Sequence, residues 1–259
     1  MITSKDNEKL KLVRALASRS RRRKEGLFVT EGEDLLEAGL SAGHRPEFVL
    51  VAAGSGIDGE EVEPSLLATA SNLGSGSRAI AVWQQTWQPV DAVEPAGGDR
   101  ERAVWIYLDR VGDPGNVGTI IRSAQALVDG IVVAGPDTAD PFSPKAVRAS
   151  MGAIFHQPVT SGGIGDTPEP RLAMVAHGGR PLEDNVGALA GTDGPVTICL
   201  GAEREGLAPV TLAACSDLRT IRLRETAVES LNVAAAAAII LARVAATRAE
   251  TTTSPERDD

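Results

Sequence analysis

DRVGDPGNVGTIIRSAQALVD, residues 109–129, follows an apolar run from Val104 to Leu108 that reads as a buried strand. Gly112, Pro114 and Gly115 cannot continue that strand, so the chain must turn. Asn116 then opens a helix. On a wheel of about 100° per residue, Val117, Ile120, Ile121, Ala124, Leu127 and Val128 share the arc that would pack on a sheet. Gly118, Thr119, Arg122 and Gln125 share the other. Gly118 and Arg122 are one helical turn apart, so a guanidinium stands beside a position without a side chain. That spacing leaves room for a ligand near a helix start, where free N–H groups favour anions. An arginine on a polar helix face is equally well a solvated residue, so a functional reading needs support from the rest of the chain.

Bulk composition narrows the possibilities. A chain of 259 residues holds one large domain or two ordinary ones, and 42% hydrophobic content with only 3% aromatics implies an aliphatic core. Cys199 and Cys215 lie in apolar or helical text without metal spacing, and read as core residues of a reduced compartment. His44, His156 and His177 form no ligand pattern, so no metal is expected. The charged N-terminus has no apolar signal core, and the apolar helix Leu231–Arg243 is too short to span a bilayer. These features predict a soluble, cytoplasmic protein. The net charge of −9 argues against indiscriminate nucleic-acid binding, yet residues 1–24 carry nine Lys/Arg against two Asp/Glu. Arg21, Arg22, Arg23 and Lys24 form a local basic patch suited to phosphates, or simply a solvated terminal helix.

Along the chain, a helix over Asn7–Ser18 precedes a strand at Gly26–Glu31 and a helix at Asp34–Ala42. A strand at Phe48–Ala53, a helix at Pro64–Asn72 and a strand at Ala79–Trp83 complete a small α/β unit, taken as residues 1–88. Residues 89–102, rich in Pro and Gly, read as a linker. A second unit, 103–248, has strands predicted at Val104–Leu108, Gly130–Ala134, Leu172–Ala176, Val196–Leu200 and Leu218–Leu223. Their near-continuous apolar character suits a parallel sheet covered on both faces. Ser143–Met151 reads as helical, Ile154–Val159 as strand-like, and Gly162–Pro170 as lacking a helix. The tail 249–259 reads as disordered and acidic.

Three places in the second unit share one pattern of strand end, Gly or Asn turn, and helix: the opening stretch, Ile198–Leu207 and Ile221–Val233. In an open α/β sheet, loops at the carboxyl ends of strands converge on one crevice. Asn116, Arg122, Glu203, Ser230 and Asn232 would surround it. Asn116 and Ser230 are also good helix caps, and Glu203 also suits a solvated turn. Asn232, by contrast, is an amide in an otherwise apolar first turn and needs partners. The helix Leu231–Thr247 has apolar residues or alanines around its circumference, so it is expected to be covered on most sides, within the domain or by a second subunit.

In combination these segments resemble the SpoU (TrmH) family of S-adenosylmethionine-dependent RNA ribose 2′-O-methyltransferases, part of the SPOUT superfamily. The resemblance rests on Asn116-Val-Gly118 with Arg122-Ser-Ala, on Leu200-Gly201-Ala-Glu203 with Gly206-Leu207, and on Glu229-Ser230-Leu231-Asn232-Val. Ser143–Gly152 is similar to the ribosomal-RNA branch, and Lys24–Gly32 resembles a ribosomal-protein-like substrate-binding domain fused ahead of the catalytic one. The resemblance implies a trefoil-knotted α/β domain, which composition and periodicity could not reveal, and a homodimer. It implies S-adenosyl-L-methionine held by Leu200, Gly201, Ile221, Leu223, Ser230 and Leu231, and a catalytic Arg122 supported by Asn116, Glu203, Ser230 and Asn232. Arg21–Lys24 and Arg148 would contact RNA, with ribosomal RNA favoured over transfer RNA. The third motif departs from the family pattern, with Arg222 where a proline usually follows the isoleucine. A non-catalytic RNA-binding factor is the first competing reading. A dinucleotide-dependent oxidoreductase is the second, and lacks the G-x-G-x-x-G turn it would need.

Overall fold

The computed structural model describes residues 1–71, 76–184, 194–224 and 230–252. The apolar run at 104–108 forms strand β5 (Val104–Asp109), all of it buried, at the middle of a seven-stranded sheet. Around it lie β6 (Gly130–Ala134), β7 (Val159–Ser161), β8 (Arg171–Met174), β9 (Arg180–Pro181), β10 (Val196–Gly201) and β11 (Asp217–Thr220), in the order β7-β6-β5-β10-β8-β11-β9. Every pairing in this sheet is parallel. Helix α5 (Pro114–Leu127) buries Val117, Ile120, Ile121 and Ala124 of the arc expected from sequence, whereas Leu127 at its end is exposed. It packs against α6 (Pro144–Ser150) and against the long final helix, termed α8 (Val233–Thr252). A short α7 (Pro209–Ala213) precedes β11.

The N-terminal unit comprises α1 (Glu8–Ala15), α2 (Arg19–Glu25), β1 (Leu27–Glu31), α3 (Glu33–Ser41), β2 (Phe48–Ala52), β3 (Glu60–Val62), α4 (Pro64–Ala70) and β4 (Ala79–Gln84). Its four-stranded sheet runs β1-β4-β2-β3, with β4 antiparallel to both neighbours. One face closes over Leu10, Val13, Leu16, Leu50 and Leu67. The other carries Phe28 and Trp83 onto Phe142 and Phe155 of the second unit, with ring centroids 4.8–5.8 Å apart. Such aromatic contacts stabilise beyond their buried area, and the two units share a continuous core here.

Several expectations are corrected. The segment 154–159 is not a strand throughout: Ala153–Phe155 is a 3₁₀ turn, and only Val159–Ser161 joins the sheet. Gly162–Pro170 contains a 3₁₀ turn at Ile164–Asp166. In residues 89–102 Val93 is buried and Arg100 donates to the carbonyls of Val93 (2.5 Å) and Val90 (2.9 Å). The final helix starts at Val233 and runs through Thr252, into the segment expected to be disordered, whereas residues 253–259 lie outside the described residues. On one side of it Ala235, Ile239, Ala242 and Ala246 form an exposed apolar stripe, while Val233, Ala234, Ala237, Ile240, Leu241 and Val244 are buried within the chain. Among the described residues no helix is long and apolar enough to cross a membrane.

Candidate active site

The loops after β8, β10 and β11 and the start of α8 enclose a cleft of about 350 Å³ at the carboxyl edge of the sheet. Leu200, Gly201, Ile221, Leu223, Ser230 and Leu231 all line it, as does Glu203. Its volume lies in the range of small-molecule sites, about 300–1,000 Å³. The β10 loop is tightly built. Ala202 and Gly206 exchange backbone hydrogen bonds of 3.1 and 3.0 Å, and a Cβ on Gly201 would overlap the backbone of Gly206 and Leu207. Only glycine fits there. Buried Asp109, at the end of β5, accepts from the Ala208 N–H at 2.6 Å. Arg110 pairs with Asp109 and donates to the Gly206 carbonyl at 3.3 Å. Together they hold the loop against the sheet.

A polar bridge lies beside the cleft. Asn116 Nδ2 donates to Glu203 Oε1 at 2.5 Å, and Asn232 Nδ2 donates to Asn116 Oδ1 at 3.0 Å. Asn232 Oδ1 in turn accepts the N–H groups of Ala234 (2.9 Å) and Ala235 (3.3 Å). Asn232 is therefore the N-cap of α8, the role that sequence alone suggests for Ser230. Likewise α5 is capped by Asp113 and not opened by Asn116: Asp113 Oδ1 accepts from Gly115 and Asn116 N–H, and Oδ2 from Lys145 Nζ at 2.6 Å. The Lys145 hydrogen bond, with help from the two N–H groups, holds the Asp113 carboxyl below the usual carboxylate range.

Not every candidate residue joins this cluster. Arg122 is exposed on α5, lines no part of the cleft of its own chain, and makes no hydrogen bond or ion pair among the described residues. The space expected beside Gly118 is filled: a Cβ there would overlap the Ala146 carbonyl oxygen, so Gly118 serves the close approach of α6. Arg22 leaves the basic patch altogether. It is 2% exposed, pairs with Asp140 at 2.7 Å, and donates to the Leu16 and Ala17 carbonyls. Arg21 is exposed and paired with Glu25, while Arg23, Lys24 and Arg148 are exposed. Residues 225–229, which include Glu229 of the third motif, lie outside the described residues. The strip Met174–His177, after β8, lines the cleft and carries no motif, although its position at a strand's carboxyl end was the available signal. Asp109 and Arg110 are not predicted site residues either, because nothing local reveals that they clamp a loop about a hundred residues away.

The description "SpoU rRNA Methylase family" matches residues 103–242, more than half of the chain. The chain belongs to the SpoU rRNA methylase family. An MRM3-like substrate binding domain matches residues 7–88 of this SpoU family member. It is 34% identical over 164 residues to the 23S rRNA (guanosine(2553)-2′-O)-methyltransferase RlmP of Bacillus subtilis, covering 61% of this chain and 63% of that protein. It is 35% identical over 160 residues to a 23S rRNA (uridine(2479)-2′-O)-methyltransferase of Streptomyces viridochromogenes, covering 55% and 52%. The matches thus span about half to two thirds of the length of these two curated relatives. The AdoMet-bound rRNA methyltransferase from Sinorhizobium meliloti superposes with a TM-score of 0.79 at 27% identity, over 94% of this chain and 96% of that one. The likeness to that structure therefore extends through both units.

Proposed function

We propose that this chain is an S-adenosylmethionine-dependent methyltransferase acting on a ribose 2′-hydroxyl of RNA, with ribosomal RNA as the substrate. The observation that carries this reading is that the second and third motifs line one cleft and the first is tied to its edge through the Glu203–Asn116–Asn232 bridge. The cleft suits the cofactor chemically. Leu200, Ile221, Leu223 and Leu231 offer apolar walls for an adenine, and the Gly201 turn exposes main-chain groups for polar atoms. When bound, the cofactor supplies an electrophilic methyl group. In this reading residues 1–88 are the RNA substrate-binding unit, 103–248 the knotted methyltransferase unit, and 89–102 the connection between them.

The remaining chemistry falls to the chain. A ribose hydroxyl is a poor nucleophile, and its developing alkoxide charge must be stabilised where it forms. A guanidinium is a poor proton acceptor, so Arg122 serves by fixing a substrate phosphate and stabilising that charge, not by removing the proton. The Glu203–Asn116–Asn232 bridge ties the β10 loop to two helix starts and keeps the hydroxyl's approach aligned. Because Arg122 is absent from its own chain's cleft, we assign it to the cleft of a second copy. Support for a homodimer comes from the exposed Ala235, Ile239, Ala242 and Ala246 stripe on α8, which packs on α5.

The test is methyl transfer from labelled S-adenosylmethionine to ribosomal and transfer RNA, with mapping of the modified position. Label on a ribose 2′-oxygen of ribosomal RNA is expected; label on a base, or on neither RNA, overturns the reading. Arg122→Ala should abolish turnover and leave calorimetric cofactor binding intact. Mixing it with Leu231→Trp, which blocks the cleft, should restore part of the activity if Arg122 acts across the dimer.

A further inference from the structure

A second groove of about 690 Å³ lies where the N-terminal unit meets the catalytic sheet, and Arg19, Arg23, Gln85 and Trp87 bring the substrate-binding domain match to one side of it. Its walls are α2, the segment after β4, and the loops following β6 and β7. The Arg22–Asp140 pair explains why α2 lies there. With Arg22 buried at 2.7 Å from Asp140, the residues at i−3 and i+1, Arg19 and Arg23, are turned along the groove. Both are exposed cations with no ion pair among the described residues.

Across the groove stands Trp87, 37% exposed, an unusual degree for a tryptophan in a chain with so few aromatic residues. It is not a loose surface residue. Its Nε1 donates to Gln85 Oε1 at 2.9 Å, and Phe142 meets it edge-on with centroids 5.2 Å apart. Its neighbour Gln88 bridges to β7, where the Thr160 hydroxyl donates to the Gln88 carbonyl at 2.7 Å. The indole is thus held rigidly with part of its surface open. Asp137 adds one exposed carboxylate, and Asp140 is neutralised by Arg22.

From this juxtaposition we infer that the groove is a binding site for single-stranded RNA: an unpaired base stacks on Trp87, Arg19 and Arg23 hold the adjoining phosphates, and Asp137 accepts from a base amino group or ribose hydroxyl. An ordered aromatic surface beside two arginines is the combination that recognises unstacked nucleotides. A duplex would present phosphates but no free base face. The groove and the catalytic cleft open at the same carboxyl edge of the sheet, one at β6 and β7, the other at β10, β8 and β11. Two strand spacings of about 4.8 Å separate their nearest strands, β6 and β10, roughly 10 Å. A strand stacked at about 3.4 Å per nucleotide crosses that distance in about three nucleotides. The groove therefore reads bases a few positions from the methylated ribose, and selects substrates with a loop or bulge there.

This inference rests on the proposed RNA substrate, and its test separates the two. Fluorescence anisotropy is measured with the full chain, without cofactor, on a labelled ten-nucleotide single strand and on a duplex of the same composition. Trp87→Ala should weaken single-strand binding about tenfold, Trp87→Phe should restore most of it, and duplex binding should change little. Arg19→Gln with Arg23→Gln should weaken single-strand binding and lower its log–log salt slope by about 1.4, as expected for two phosphates. Unchanged affinity in Trp87→Ala, equal losses on strand and duplex, or no single-strand binding by the unaltered chain overturns the groove assignment. Should Trp87→Ala disturb the fold, as melting would reveal, the arginine pair decides alone. If the Trp87 dependence holds and methyl transfer to RNA fails, the groove stands and the proposed activity falls. If methyl transfer succeeds and binding is independent of Trp87, the activity stands and the groove falls.

Discussion

Asn232 and Asn116, far apart in the chain, share a 3.0 Å hydrogen bond that joins the starts of α8 and α5 beside the cleft. Two roles are combined in Asn232: its Oδ1 caps α8, and its Nδ2 holds Asn116, which donates to Glu203. Asn232→Asp separates them. The carboxylate keeps the cap but has no donor for Asn116. Flipping the Asn116 amide only moves the mismatch, since its oxygen then faces Glu203. Thermal stability should stay close to the parent, while methyl transfer falls about fivefold, as expected when a solvent-accessible hydrogen bond worth about 1 kcal/mol is lost. Asn232→Ala should lose both, with about 1 kcal/mol of helix stability gone. Unaltered turnover in Asn232→Asp would show the bridge to be structural only.

The Arg22–Asp140 pair invites the opposite experiment, in which a cation in a basic run matters for stability. Both side chains are nearly inaccessible, and Arg22 also satisfies two carbonyls at the end of α1. Removing one partner of such a pair leaves an uncompensated buried charge, at a cost of about 3–5 kcal/mol. Arg22→Ala should therefore lower the denaturation midpoint sharply. Neutralising Arg23 and Lys24, both exposed, should leave that midpoint alone and weaken RNA binding in a salt-dependent way. Equal midpoints for Arg22→Ala and Lys24→Ala would remove Arg22 from the junction's core.

What is legible in the sequence divides along the range of the interactions. The apolar arc of α5 and the strands β5, β6 and β10 follow from periodicity, which is local. Glu203 and six residues read as cofactor-binding line one cleft, because loops at the carboxyl ends of a parallel sheet converge whatever their separation in the chain. Arg22 escapes such a reading because an arginine among arginines looks solvated until Asp140, 118 residues away, is folded against it. Gly118 escapes it for the same reason, its partner being the Ala146 carbonyl on another helix. β3, Glu60–Val62, is short, acidic and at a sheet edge, so it carries too little pattern to be seen.

Gly118 supplies a sharper test of helix packing. A methyl group at this position meets the backbone of α6 rather than a flexible side chain, so α5 and α6 must separate. Overpacking of this kind costs about 1–3 kcal/mol, and Gly118→Ala should melt several degrees lower. Gly112→Ala is the control, since nothing lies within 4 Å of the added Cβ. The separation would also carry Asn116 away from Glu203, so residual activity should fall further than stability alone explains. Equal melting of the two variants would mean that the α5–α6 contact yields to a methyl group without cost.

Asp217 provides a pH-dependent test at the other side of the cleft, on the strand that leads to Ile221. It is buried, and burial pushes its carboxyl upward, but hydrogen bonds from Arg180 (2.8 Å) and Arg219 (2.7 Å) outweigh this and hold it below the usual range. Because the folded-state value is depressed, the pair's contribution is fully present above the unfolded value near pH 4 and is lost as pH falls through the folded one. Among the described residues Arg219, 1% exposed, would otherwise keep only the carbonyls of Pro181 and Asp184. Asp217→Asn should therefore destabilise by about 3–5 kcal/mol at pH 7. The gap from the parent should begin to narrow as pH drops below about 4, where the unfolded chain's carboxyl takes up a proton, and should close only below the depressed folded-state value. Denaturant unfolding at pH 7, 5 and 3.5 measures the gap directly, and a difference that stays constant across that range would assign the stabilisation to shape and not to charge.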